Sequence, residues 1–472
     1  MRPQDTRAAA VTGRRLHFQG MTNQTAVLDE IMEETESPPA SRAILSSPFE
    51  SRSADLPTWF RNQQHAAWTK FEAVAYPNRK DQAWRFSNVN ALDLSNYNFG
   101  ASLNQGERDE ILDRSLGLDK VAGRLIFGDD QLLRRDPLSQ KLLAAGVILK
   151  PLERAIIEHE DLFRRHFMVQ AATLGSAKFA ALHEAFVMSG TFVYVPKGVE
   201  VELPIEIFQW LHGENASVFP HTLLVADELA EVTVIEHFRS AHPDRAGFAC
   251  GVNDLVVGRG AKLNYVCTQN WNEKALAVQI NSTSVERDAS ALSLNVHLGG
   301  AYSRFESLSR LIGEGARSDL LAVTVADNAQ EFDARTLQDH LSPHTTSDLL
   351  YKNALNDRAR CTFGGLIRVE PHAHFTDAYQ TVRNLLLSDD AEANSMPGLE
   401  ILADNVKCSH GATSGQIGEN EMFYLLSRGI PAPVAKQLLV SGFLNEAVDR
   451  LDHPAITQLV HEMIETKFQR RR

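Results

Sequence analysis

The sequence predicts a mainly β protein, a β-solenoid core between a largely helical N-terminal region and a helical C-terminal end. Three observations carry this. The apolar period changes from 3.6 to 2 near residue 187, a strand–turn–strand unit then recurs to about residue 414, and helical spacing returns after it.

Residues 1–55 are polar, lack sustained periodicity and are punctuated by Ser37-Pro38-Pro39 and Ser46-Ser47-Pro48, so they read as a flexible tail. Residues 56–186 read as mainly helical with some β. Trp59, Phe60, Ala66, Trp68 and Phe71 keep helical spacing until Pro77. Arg124-Leu-Ile-Phe127 before Gly128 is a short strand and turn, and Ser176 to Phe186 is helical again.

Residues 187–414 form the β core. Thr191 to Val195 is a strand, Pro196-Lys-Gly198 a turn, and Val199 to Leu203 a second strand. The unit then repeats with a small residue after its turn: Ala230, Ala261, Ala316, Ala359, Ala391 and Val406. A small residue suits a corner where the backbones of successive coils stack closely. The intervals are irregular and one is much shorter than the rest, as coils of variable length would give. Each coil exposes strand edges that only the next can satisfy, which is the logic of a solenoid. A β-sandwich is the competing arrangement. It brings hairpin signals roughly every 8 to 12 residues, and few Asn-Gly turns occur here.

Residues 415–472 return to helix. Glu419 to Ser427 closes at Gly429, and Pro433 suits the first turn of the next helix. Asp452 is the expected N-cap of a last helix with Pro454 near its start. There Ile456, Leu459, Val460, Met463, Ile464 and Phe468 share one stripe, fit to dock on this chain or on a partner. Lys467 and Arg470 to Arg472 sit where the helix dipole favours cations.

At 472 residues the chain suggests two or three domains, and its net charge of −13 argues against non-specific binding to nucleic acid or an anionic membrane. Four scattered cysteines, Cys250, Cys267, Cys361 and Cys408, form no C-x-x-C pair and point to a reducing compartment. Arg2, Arg7, Arg14 and Arg15 precede no apolar stretch of a secretory signal, while Asp5 and scarce serine count against a transit peptide. No apolar run approaches the roughly 20 residues that span a bilayer. A cytoplasmic protein is expected.

No nucleotide-triphosphate motif is present. Gly258-Arg-Gly260-Ala-Lys262 lacks the phosphate-cradling spacing and reads as a solenoid corner. His372-Ala-His374, after Gly364-Gly365, reads as two imidazoles on one strand face, with exposed strand or turn histidines as the structural alternative. It supports an alternative function, a cupin-like metalloenzyme, although only Asp377 stands near the place of the expected glutamate. Asp389-Asp390 is an acidic pair at a turn, where solvation is the ordinary role. The other candidate is Asp404-Asn-Val-Lys-Cys408-Ser-His410-Gly-Ala-Thr413. Two residues is the side-chain period of a strand, so Cys408 and His410 leave the same face. A thiolate with an imidazole can bind zinc, copper, iron or an iron–sulfur cluster; a buried thiol and a satisfied imidazole are the structural alternative.

These residues also resemble a known family. Val406-Lys-Cys408-Ser-His410-Gly-Ala-Thr, Thr376-Asp377-Ala-Tyr-Gln380 with Asn384-Leu-Leu-Leu-Ser388, and Pro397-Gly-Leu399-Glu400-Ile401 occur in order. So do Phe423-Tyr424-Leu-Leu-Ser-Arg428-Gly429, Gly442-Phe443, Tyr194-Val-Pro-Lys-Gly198 and Trp84-Arg-Phe86. Over residues 56–450 the chain is similar to the SufB/SufD family of the SUF iron–sulfur cluster assembly system. The K-C-S-H-G-A-T form looks like its SufD branch. The SufB branch carries E-H-E-A-T there and a Q-C-D-S segment, where this chain has the cysteine-free Gln380-Thr-Val-Arg-Asn384. Val382 stands where SufD often has Asn, and His372 and His374 are not family features.

The resemblance implies a right-handed parallel β-helix and a non-catalytic scaffold role. It implies pairing with a SufB-like paralogue along the β-helix and docking of the SufC ATPase on the C-terminal helices, with Phe423, Tyr424, Leu425, Arg428, Gly429, Gly442 and Phe443 as the docking region. It further implies that His410, with Cys408 beside it, assists a transient iron–sulfur cluster at an interface shared with SufB. No cofactor would be held stably by this chain alone, and whether a reduced flavin binds the assembled complex stays open.

Overall fold

The computed structural model describes residues 55–469, so the tail expected over residues 1–55 lies outside them except for Asp55, and Arg470 to Arg472 lie outside as well. The chain winds about eight coils of a β-solenoid, each contributing one strand to each of two sheets. One sheet runs from Gly190–Val195 to Glu392–Ile401, the other from Glu200–Leu211 to Lys407–Gln416, with all neighbours in this stretch parallel. Thr346 pairs with Asp377 and Asp377 with Lys407, so a coil here takes about 30 residues.

Alternation places apolar side chains such as Val232, Val234, Leu255, Val257, Leu263 and Ala291 between the sheets as one buried core. The corners explain the small residues. Ala230, Ala261, Ala289 and Ala316 each follow a residue of positive φ (Leu229, Gly260, Asp288, Gly315) and are buried. The N–H of Leu229 donates to the Arg259 carbonyl of the next coil at 2.9 Å, and that of Phe375 to the Asn405 carbonyl at 2.9 Å. The left-handed corner is thus stacked by a backbone bond that offsets its strain. Gly258-Arg-Gly260-Ala-Lys262 is such a corner.

The N-terminal region is α/β. Helices Thr58–Ala73 and Ala177–Phe186 pack over the first sheet through Phe71, Phe179 and Phe186 against Phe219, Phe248 and Leu276. Strand Gly123–Gly128 extends the second sheet by pairing with Glu200–Leu211, and Ile148–Pro151 extends the first by pairing with Gly190–Val195. A buried ion network ties this layer down. Arg304 pairs with Glu306 at 2.7 Å and with Asp333, Arg335 reaches Asp333 at 2.8 Å, and the Arg304 guanidinium lies 3.7 Å from the Trp84 ring centroid.

At the other end, helix Ala432–Val448 packs on the outside of the second sheet. Val440, Leu444, Ala447 and Val448 bury against Leu294, Leu321, Val323 and Leu350. The stripe of helix Pro454–Gln469 covers the same face with Ile456, Val460 and Ile464, and Lys467 bonds Asp327 at 2.9 Å, so this stripe docks on its own solenoid. The expected Asp452 cap is displaced by one residue. The helix starts at Pro454, and the ring Nδ1 of His453 accepts from the Ile456 N–H at 3.4 Å.

Candidate functional site

Among the described residues the last two strands, Glu392–Ile401 and Lys407–Gln416, each pair on one side only. The solenoid interior is therefore open at this end. Ile367 and Val369 are fully buried one coil below, whereas their register partners Leu399 and Ile401 are 38% and 36% exposed. Leu402 adds to this apolar rim.

Cys408 pairs in register with Ala378, and His410 with Gln380, both buried inward positions. The two side chains thus share the inner face, as strand parity requires. Cys408 is half-buried against Ile367, Val369 and Ala373. Burial pushes its thiol pKa up and the nearby Asp377 carboxylate adds to this, so the neutral thiol is the resting form. His410 is exposed above Gln380. Gln380 is buried, its Oε1 has no hydrogen-bond partner among the described residues, and it fills space left by Gly365, where a Cβ would come within 2.5 Å of that oxygen. Asn384 completes this polar floor, donating to Ser395 Oγ at 3.2 Å and Ser414 Oγ at 3.1 Å. The chain thus offers one thiol and one imidazole at an open end, two ligands of the four a tetrahedral site requires.

His372 and His374 do not share a strand face. Both lie in the corner between Arg360–Val369 and Asp377–Leu386, and the His374 ring nitrogen Nδ1 bonds the Asp404 carbonyl at 2.9 Å. The strands around them are parallel coils rather than an antiparallel jelly roll, so the cupin-like reading fails.

The C-terminal residues divide between two helices. Phe423, 72% exposed, and exposed Tyr424 lie on helix Glu419–Ser427, none of whose residues is buried. Leu425 is partly covered, Arg428 stacks over the Tyr424 ring at 4.3 Å, and Gly429 takes a φ of +79° at the helix end. Gly442 is open to solvent, whereas Phe443 packs toward the solenoid under the Lys352 ammonium, 4.5 Å from its ring centroid. Leu426 and Leu438 are exposed apolar side chains as well.

Sequence reasoning missed Gln380 as the floor of the site, the Leu399–Ile401–Leu402 rim, and a cluster of Glu110, His212 and His242 near the opposite end. Their signal is a coil register, available only once the coil is known.

The sequence that winds this solenoid matches a known protein family along most of its length. Residues 209–443 match the family described as SUF system FeS cluster assembly, SufBD core domain, and residues 50–207 match the SufBD protein N-terminal region. The chain belongs to the SufB/SufD family of SUF iron–sulfur cluster assembly proteins. It is 28% identical to the iron-sulfur cluster assembly protein SufD of Bacillus subtilis (strain 168) over 420 residues, 87% of this chain and 94% of that one. It is 29% identical to SufB of the same organism over 307 residues, 65% of this chain and 66% of that protein. An iron-sulfur cluster assembly SufBD family protein of Staphylococcus epidermidis is 27% identical over the same length. No helix among the described residues is long and apolar enough to cross a membrane.

Proposed function

We propose that this chain is a SufD-type, non-catalytic scaffold subunit in the cytoplasm. Its open end pairs with a SufB-like paralogue, its C-terminal helices dock the SufC ATPase, and a nascent iron–sulfur cluster, the cargo of the complex, passes through the shared mouth. The observation that carries the reading is the open coil end, where unpaired strand edges and an apolar rim surround Cys408 and His410. An uncovered edge of this length is a template for another chain's strands. Two ligands here leave the remainder of the coordination to a partner. The end-to-end match to a SufD supports the branch, and the exposed Phe423–Tyr424 surface supports a docking role for that helix.

In this reading His410 is the group that meets the cluster, and the protonated Cys408 becomes a ligand only where a metal displaces its proton. The test is His410→Ala within the co-expressed three-component complex. Cluster yield should fall several-fold while all three components still co-purify; an unchanged yield refutes the role of His410.

A further inference from the structure

Near the capped end, two histidines follow strands of consecutive coils. His212 comes after Glu200–Leu211 and His242 after Glu231–Ser240, whose register pairs Leu211 with Ser240. The two Nε2 atoms lie 3.2 Å apart. Glu110 approaches from helix Gln105–Arg114, and the three side chains bring ligand atoms within 4.8 Å of one another. A tetrahedral zinc-type ion, with nitrogen ligands at about 2.0–2.1 Å, sets those nitrogens about 3.3 Å apart. The imidazoles already stand at that spacing. The carboxylate, exposed on a helix surface, needs to move by on the order of 1 Å.

The backbone on both sides of the site is held independently of any ion. Asp129 accepts the His212 and Gly213 N–H groups at 2.8 Å each, and Arg245 donates to the His212 carbonyl at 3.0 Å. Asn272 Nδ2 donates to the carbonyls of His242 and Arg245, both at 2.7 Å. The helix that carries Glu110 begins in a capping box formed by Asn104 and Glu107. The ligand backbone is thus ordered before binding, which lowers the entropic cost of closing a site.

Two cations oppose the site, Arg114, which pairs with Glu110 at 3.1 Å, and Arg245. The Arg114 pair is exposed and weak, so an ion can take one carboxylate oxygen from it. With cations this close, hard ions that rely on carboxylate charge are disfavoured, while ions with high imidazole affinity are not. His242, Arg114, Trp210 and Asn272 line a cavity of about 910 Å³, so the site borders open space on its His242 side. A three-ligand set with an open position is the pattern of exchangeable rather than closed structural sites.

We propose that Glu110, His212 and His242 form a site for a first-row divalent transition metal of the zinc or ferrous class. It joins helix Gln105–Arg114 to the first coils and lies at the opposite end of the solenoid from Cys408 and His410.

The test uses the tag-free full chain carrying Cys408→Ser and His410→Ala, which silences the other thiol–imidazole pair, titrated with Co(II). One equivalent should bind with the d–d absorption of a four- or five-coordinate ion. Adding His212→Gln and His242→Gln should remove both the band and the stoichiometric binding. Glu110→Gln, a surface change that leaves folding intact, should weaken binding by about tenfold or more. Absence of stoichiometric Co(II) binding in the starting chain overturns the site. Equal affinity with and without Glu110→Gln overturns the three-ligand assignment even if the double histidine variant does not fold.

Discussion

The two ends of this solenoid are built from the same coil and finished in opposite ways. At the N-terminal end Gly123–Gly128 and Ile148–Pro151 continue the sheets past the first coil, and helices and the Arg304 network cover the flank. At the C-terminal end the chain leaves Lys407–Gln416 for helix Glu419–Ser427 and turns back along the outside, so no strand follows among the described residues. The terminal strands also differ chemically from inner ones. Lys407–Gln416 holds one β-branched residue, Thr413, and is otherwise small or polar, while Glu392–Ile401 contains Pro397. Such edges resist indiscriminate pairing yet remain open to a partner that fits them. Closure, rather than the repeat itself, separates the stable body from the open end.

Acid gives the largest expected contrast. His183, His297 and His340 are buried in the body, and burial pushes each imidazole down to about 4. An unfolded imidazole titrates near 6.5, so between about pH 6.5 and 4 the unfolded chain takes up protons that the native chain refuses. Stability is full above this window and falls as pH drops through it, by up to about 3 kcal/mol for each group. Asp254, pushed up to about 7 by burial, works the other way and offsets about one of them. Urea midpoints should therefore fall from pH 7 to pH 4.5; a flat midpoint would show that these imidazoles are not held neutral.

A single substitution sharpens the same contrast. Arg304→Ala leaves Glu306 and Asp333 buried without their shared partner and empties the space over Trp84. Breaking a buried pair in this way costs about 3–5 kcal/mol. His410→Ala, on the exposed inner face of the open end, should change stability by less than about 0.5 kcal/mol. Thermal melts of the two variants side by side check this, and comparable losses in both would mean that the open end is part of the stable body.

The sequence carried the repeat but not its phase. Ala230 to Ala261 is one whole coil of 31 residues, while Ala391 to Val406 is half a coil of 15, because the two sheets have alternating corners and both kinds carry small residues. What looked like variable coil length was partly two interleaved series. Several corners also lack a Gly or Asn signature. Leu229, His344 and Phe375 hold positive φ because the next coil accepts their N–H groups, a tertiary bond that local pattern does not reveal. The same blindness put His372 and His374 on a strand. Cys408 and His410 were readable from parity alone, whereas the openness of their end depends on where the following helix goes. Glu110, His212 and His242 could not be grouped without the coil length, since the histidines stand 30 positions apart, about one turn of the solenoid.

The smallest expected effect on stability is the most telling about the open end. Glu392 donates its N–H to Ala359 of the coil below, so in a parallel ladder the odd-numbered residues of its strand, Pro397 among them, would point their N–H groups outward. Pro397 thus sits where a missing donor costs the chain nothing and interrupts only the free edge. On the other terminal strand Lys407 donates to Thr376, so Ala412 faces outward in the same way, and no proline interrupts that edge. Ala412→Pro copies the Pro397 arrangement. The isolated chain should keep its melting temperature to within the equivalent of about 1 kcal/mol. Co-purification with a SufB-like paralogue should nonetheless be lost, because the second edge would then be broken like the first. Retained pairing would mean that the partner does not add its strands to Lys407–Gln416. Loss of pairing with an unchanged melt would assign the interface to the one terminal edge that the chain leaves whole.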